Sequence, residues 1–257
     1  LFLLAICLFL GALLTAALAA TKIRFGATYP PFEFGDPPMM RRLGLTLAIL
    51  LVAAVVNTLS AAPPEGDGWV ALFNGKNLDG WEQRNGTATY KVEDGCVVGT
   101  TSEGSPNSFM CTKKTYGDFE LVFEVKVDDE LNSGVQFRSR TKDDKPSERV
   151  HGPQVEIATN GSAGCVYGEG TSFGWLSGPT DDATKTGAFK KGQWNKYRVL
   201  AKGKHIQTWV NGIPIVDFEE DKTNMPDGFI GLQVHGIGKG AGPYSVRWKE
   251  IYLRELK

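Results

Sequence analysis

The sequence predicts an all-β fold, a two-sheet sandwich or jelly roll, and three observations predict it. Nine residues, Phe119–Val127, alternate. Phe119, Leu121, Phe123, Val125 and Val127 face one way and Glu120, Glu124 and Lys126 the other, the period of a half-buried strand. Asn211-Gly212 separates the runs His205–Val210 and 213–218, and an Asn-Gly pair supplies the positive φ angles that a tight hairpin turn needs. Glycine reaches 31 residues and aromatics 11%, with no amphipathic helix of ten residues or more, so short strands and tight turns are expected.

Taken in order, further strands are expected over 133–138, 154–158, 194–201, 229–235 and 244–254, about a dozen in one domain. The Gly-rich run 160–178 is too polar and irregular for a long strand and reads as surface loops. Composition excludes other classes. The 28 basic residues balance 29 acidic ones, net -1, which argues against a nucleic-acid partner held by a basic face. With 42% hydrophobic residues and 6 Trp, the chain is not an acidic disordered one.

Two apolar runs precede the fold. The run 43–59 follows Met39, Met40, Arg41 and Arg42 and ends on Ser60, Ala61 and Ala62. These are the basic, apolar and small-residue parts of a secretory signal over 39–62, and the run is short for a membrane span of about 20 residues. The expectation is cleavage, no stable membrane span afterwards, and a periplasmic or extracellular location; a retained anchor is the alternative. Pro63-Pro64 opens a linker, 63–67, before a domain over 68–257. The run 1–20 also ends in small residues, and "TKIRFGATYPPFEF" (21–34) resembles the mature start of periplasmic amino-acid-binding proteins. That likeness stops there, too short to bury a core, so 1–38 is read as an upstream extension or fusion scar without a fold of its own, translation starting at Met39 or Met40.

Four Cys are too few for a disulfide scaffold. Cys96, Cys111 and Cys165 lie beyond the leader. Cys96 and Cys111 fall in strand-like runs and could pair, or all three could be small buried hydrophobes. No Cys/His spacing suits zinc.

Four strands carry unusual polar faces. Gln233 and His235 flank Val234; Gln136 and Arg138 flank Phe137; Gln154 and Glu156 flank Val155; Gln207 and Trp209 oppose Ile206 and Val210. Period two forces these groupings. Gly134 and Gly231 sit beside them, and Gly in a strand often marks the close approach of a ligand. Planar amides, a guanidinium and an indole suit a sugar, with hydrogen bonds to hydroxyls and an aromatic plane for the ring. If the four strands share one sheet, the face is a concave, sugar-sized cleft; a solvated sheet face is the plainer reading. His151, before Gly152-Pro153, reads equally as a loop cap or a site residue. His205 reads as a surface residue, Trp194 as core, and Asp128-Asp129-Glu130 and Asp143-Asp144 as solvated turns without calcium-loop spacing.

From Gly68 onward the chain resembles the 3-keto-disaccharide hydrolase family. The blocks that carry the likeness are "GWVALFNGKNLDGW" (68–81), "YGDFELVFEVKVDDELNSGVQFRS" (116–139), "RVHGPQVEI" (149–157), "GCVYGEG" (164–170), "GQWNKYRV" (192–199), "IQTWVNGIPI" (206–215) and "GFIGLQVHG" (228–236). The resemblance implies a concanavalin A-like jelly-roll sandwich of two antiparallel sheets acting on carbohydrate, namely glycosides oxidised at C3. A C3 ketone acidifies the C2 proton, whose removal lets the C1 glycosidic bond leave by elimination, with hydration to follow. On this reading Glu156 or His235 is the base, and Arg138, or a divalent metal, stabilises the oxyanion. Gln154, Gln233, Trp209, His151 and Gln136 hold the sugar; no cofactor is certain.

Two other classes stay open. A carbohydrate-binding, lectin-like module has the same architecture. A retaining glycosidase needs paired carboxylates about 5–5.5 Å apart, but Ala158 occupies the next same-face position after Glu156.

Overall fold

The computed structural model of the chain describes residues 63–257, and the signal and the upstream extension expected over 1–62 lie outside them. Fifteen strands and almost no helix make up the described residues. They are β1 (Trp69–Ala71), β2 (Trp81–Arg84), β3 (Thr89–Glu93), β4 (Cys96–Thr100), β5 (Ser108–Thr112), β6 (Phe119–Val127), β7 (Ser133–Thr141), β8 (Val150–Ile157), β9 (Val166–Glu169), β10 (Gly174–Ser177), β11 (Asn195–Lys202), β12 (His205–Val210), β13 (Ile213–Glu219), β14 (Phe229–Val234) and β15 (Ser245–Glu255). A four-residue helix, α1 (Ala183–Thr186), begins at an Asp182 cap whose carboxylate accepts from the Thr184 N–H.

The strands form two antiparallel sheets. Sheet A runs β13-β12-β11-β6-β15-β4-β3, with β1 also on β15. Sheet B runs β10-β9-β8-β7-β14-β5-β2. This is the expected all-β sandwich. The alternation read in Phe119–Val127 holds: the five apolar residues are buried in the core, at most 3% exposed. Sheet A adds Tyr197, Val199, Ile206 and Val210, and sheet B adds Val135, Phe137, Val155, Ile157, Ile230, Leu232 and Val234 to the same core. The Asn211-Gly212 hairpin joins β12 to β13, both residues at positive φ.

Two bulges keep this core filled. In β15 the register slips between Lys249 and Tyr252, with Glu250 at φ 50. Val246 and Trp248 before it, and Ile251 and Leu253 after it, therefore all reach the core despite their odd spacing. In β7 a slip at Arg138, φ 48, lets Ser139 rejoin the side from which Gln136 projects.

One expectation is corrected, and of the two readings of the cysteines the buried, unpaired one holds. The Gly-rich run 160–178 is not all loop, because it contains β9 and β10, the edge of sheet B. A parallel-free edge needs only four residues per strand, too few for the alternation to be visible. Cys96 lies in β4 of sheet A and Cys111 in β5 of sheet B, and these two and Cys165 are buried free thiols.

Candidate active site

The face of sheet B turned away from the core carries the polar residues, and strand register sorts them into rows. One row reads Phe109, Gln233, Gly134, Glu156 across β5, β14, β7 and β8. The next reads Cys111, Gly231, Gln136, Gln154, Tyr167, Trp175, out to β10. Three of the four strands expected to share a sheet do so.

Hydrogen bonds link these side chains in one direction. Ser139 Oγ donates to Gln136 Oε1 at 2.6 Å, Gln136 Nε2 to Gln154 Oε1 at 2.9 Å, and Gln154 Nε2 to Glu156 Oε1 at 2.7 Å. Asn132 Nδ2 donates to Glu156 Oε2 at 3.2 Å. Both carboxylate oxygens are thereby held. Gly134 makes this possible, since a Cβ there would lie 2.4 Å from Gln154 Cδ. Only glycine leaves room for that amide to lie against β7 on its way to the carboxylate.

Glu156 is 5% exposed. Burial pushes its carboxyl up to about 7, the hydrogen bonds from Gln154 and Asn132 oppose the rise, and the charge of Glu169 adds to it. A carboxylate tuned this way is a proton acceptor matched to neutral conditions.

The face is cupped. Asn107, just before β5, donates to Glu169 Oε1 on β9 at 3.4 Å. Those strands are four positions apart in the sheet, about 19 Å if it were flat. Side chains of that length meet only if the sheet curls toward this face. The loop 142–149 arches over the same side: Pro146 O accepts from the Asn85 N–H beyond β2, and Val150 packs with Phe109, Cys111 and Phe229 in a cluster of their own. Gln136 and Gln233 are wholly out of contact with solvent.

Gln233 is the exception among these amides. Both Nε2 and Oε1 are buried without a hydrogen-bond partner among the described residues. Leaving such a group unsatisfied costs about 1–3 kcal/mol, which a ligand group on this face would remove. His235, half-buried, continues the Gln233 side of β14. Its Nδ1 lies 2.7 Å from Gly236 O; the carbonyl can only accept, so Nδ1 is the donor of that bond.

Three expected residues are not brought here. Arg138 turns toward sheet A, where its guanidinium donates to Gly117 O, Gly203 O and the Asp118 carboxylate at 2.8, 2.6 and 2.9 Å. The β7 bulge re-aims it, and its donors are engaged in joining the sheets. Trp209 is on β12 in sheet A, outside the core, with the Arg198 guanidinium 4.1 Å from its ring centre. His151 alternates with Val150 and Gly152 and so points away from Glu156.

The structure supplies others instead. Trp175, 37% exposed, and Tyr167 make an edge-to-face pair, ring centres 5.2 Å apart, beside Gln154. They offer the aromatic surface expected of Trp209. Asn132, Ser139, Asn107 and Glu169 complete the polar set. Tyr167 and Glu169 sit in "GCVYGEG", one of the blocks quoted above, and the misread Gly-rich run concealed their strand. Among the described residues no group of three or more His, Cys, Asp or Glu side chains could hold a metal ion.

The profile of the 3-keto-alpha-glucoside-1,2-lyase-like domain matches residues 68–254. The chain belongs to this family. A 3-keto-disaccharide hydrolase of Bacteroides thetaiotaomicron is 25% identical over 234 residues, 72% of this chain and 80% of its own. The fold of the family member described here is shared by a protein of Parabacteroides distasonis designated a glycosyl hydrolase, at TM-score 0.51 and 22% identity, covering 74% of this chain and 95% of that one. It is also shared by the carbohydrate recognition domain of Emp47p, at TM-score 0.51 and 13% identity, covering 77% and 99%.

Proposed function

We propose that the protein cleaves glycosides oxidised at C3, with Glu156 as the base that removes the C2 proton. The observation that carries this reading is a buried carboxylate, pushed up to about 7 and held on both oxygens by amide donors, while Glu169, the other buried carboxylate of this face, is engaged by Asn107 and Arg149. Proton abstraction beside a ketone asks for one such base. Ordinary glycoside hydrolysis asks for two carboxylates flanking the bond, and Ala158 stands where the second would alternate. The family name supports a 1,2-elimination.

Glu156 takes the proton from C2, and the C–H electrons form C2=C3 as the ketone becomes an enolate. The enolate then re-forms the ketone while C1=C2 forms and the C1–O bond breaks, its electrons leaving with the departing alcohol, which gains a proton. Water added across C1=C2 gives the free 3-keto sugar. Gln136 and Gln154 spend their amides on each other and on Glu156, so they orient the base. Tyr167 and Trp175 give the sugar a plane to rest on. The leader-like sequence over 39–62 supports a periplasmic or extracellular setting for this reaction.

Wild-type protein and Glu156→Gln incubated with a 3-keto-glucoside and with the parent glucoside test the reading. Turnover of the keto sugar alone, lost in the variant, is expected. Cleavage of the unoxidised glucoside, or binding of both without turnover, would overturn it.

A further inference from the structure

Ser139 stands three residues after Gln136 in β7. In an unbroken strand that odd spacing would send the two side chains to opposite faces. The bulge at Arg138, φ 48, brings Ser139 back to the side of Gln136. Two glycines leave room for it. A Cβ on Gly228, just before β14, would collide with the Arg138 and Ser139 backbone, and one on Gly152 of β8 would lie 2.5 Å from Ser139 Oγ. Three strands are thus shaped around one buried hydroxyl.

That hydroxyl is the far end of the chain of bonds that reaches Glu156. An ionised carboxylate can only accept, so Gln154 turns Nε2 to it and Oε1 to Gln136. Gln136 gives its Nε2 to Gln154, which leaves its own Oε1 in need of a donor. Ser139 Oγ is that donor. Ser139, Gln136 and Gln154 are at most 1% exposed, so bulk water replaces no link, and bonds in such a chain polarise one another. We propose that Ser139 is a positioning residue for the base: its hydroxyl sets the direction of both amides and so keeps an N–H, not a carbonyl, against Glu156. This rests on the reading of Glu156 as the base and adds a residue that does not touch the carboxylate. Without the hydroxyl, nothing holds the Gln136 amide in its present orientation. Turned over, it drives Gln154 to turn over too, and a carbonyl then faces Glu156. That arrangement suits the protonated carboxyl, which can donate, and repels the ionised one. The other groups around Glu156 act independently of Ser139. Asn132 holds Oε2, and the charge of Glu169 on β9 adds to the effect of burial. The Cys165 thiol and the Tyr197 phenol of β11 are pushed up by burial and stay neutral.

Ser139→Ala, Gln136→Met and the double variant test this beside wild type, each in two ways. Labelling with 13C-glutamate lets NMR follow the titration of the Glu156 carboxyl, and kcat/KM on methyl 3-keto-α-glucoside is measured across the pH range. Ser139→Ala is expected to move the Glu156 titration, and the acid limb with it, upward by about half to one unit. That is a loss of about three- to tenfold near pH 6, with the alkaline plateau within about twofold of wild type. Gln136→Met is expected to do the same, and the double variant no more than either single one, because both break one chain. Gln136→Met leaves the bulge untouched, so the test stands even where Ser139→Ala folds poorly. A Glu156 titration that stays in place in the single variants, shifts that add in the double variant, or a rate lowered equally at every pH would overturn the assignment and leave the base reading intact. A wild-type protein that does not turn over the keto sugar would overturn the base reading, and the NMR titrations would still decide whether Ser139 sets the direction of the chain.

Discussion

Gln154 Nε2 donates to Glu156 Oε1 at 2.7 Å from the position two residues earlier on the same face of the same strand. Adjacent same-face residues of a strand seldom bond through side chains this long, and they do so here because Gly134 gives the amide room to lie flat. The bond favours the ionised carboxylate and offsets part of the effect of burial.

Replacing Gln154 with Met removes that opposing bond. Glu156 then titrates higher still, and the acid limb of the kcat/KM profile moves toward alkaline pH by up to about one unit. A pH–rate profile of Gln154→Met beside wild type measures the displacement. A purely structural amide would lower the plateau and leave the limb in place.

Glu156 also makes stability depend on pH. Its carboxyl rises from 4.5 to about 7 on folding, so between those values the folded state binds a proton that the unfolded chain has released. Its contribution is fully present below about pH 4.5 and is lost as pH rises through about 7. The shift corresponds to at most roughly 3 kcal/mol. Glu156→Gln should therefore gain stability over wild type on going from pH 5 to pH 8, as read from urea midpoints at both.

Arg138 is buried and bonded to two carbonyls and a carboxylate. Arg138→Met strands those acceptors and should cost about 2–3 kcal/mol. The turnover of molecules that remain folded should stay within about twofold. Denaturation midpoints paired with active-site-normalised kcat check both halves of this expectation.

The indoles of Trp175 and Trp209 should part company. Trp175→Ala is expected to raise KM roughly tenfold, with little effect on stability, as a lost stacking surface does. Trp209→Ala should leave kinetics untouched and cost about 1 kcal/mol through the lost Arg198 contact. Steady-state kinetics and melting curves of both variants decide this.

The strands were legible where they are long and one-sided. Phe119–Val127 shows its five-residue apolar face directly in the sequence, and Asn211-Gly212 marks its own turn. Glu156, Gln154, Gln136 and Gln233 were legible as a polar face because period two sorts them without knowledge of their neighbours. What period two cannot show is which sheet a strand joins, so Trp209 was grouped with Gln233 although β12 lies in the other layer. Nor can it foresee a bulge. Arg138 follows Gln136 by two residues, yet one residue at positive φ turns it away. Trp175 escaped notice because β9 and β10 have four residues each among glycines.

The final strand, β15, lies inside sheet A between β6 and β4 and also receives β1. The strands on either side of it, β6 and β4, therefore keep an edge unpaired until β15 has docked. A nonsense codon shortly before Ser245 would leave open strand edges able to recruit other copies, not a slightly shortened protein.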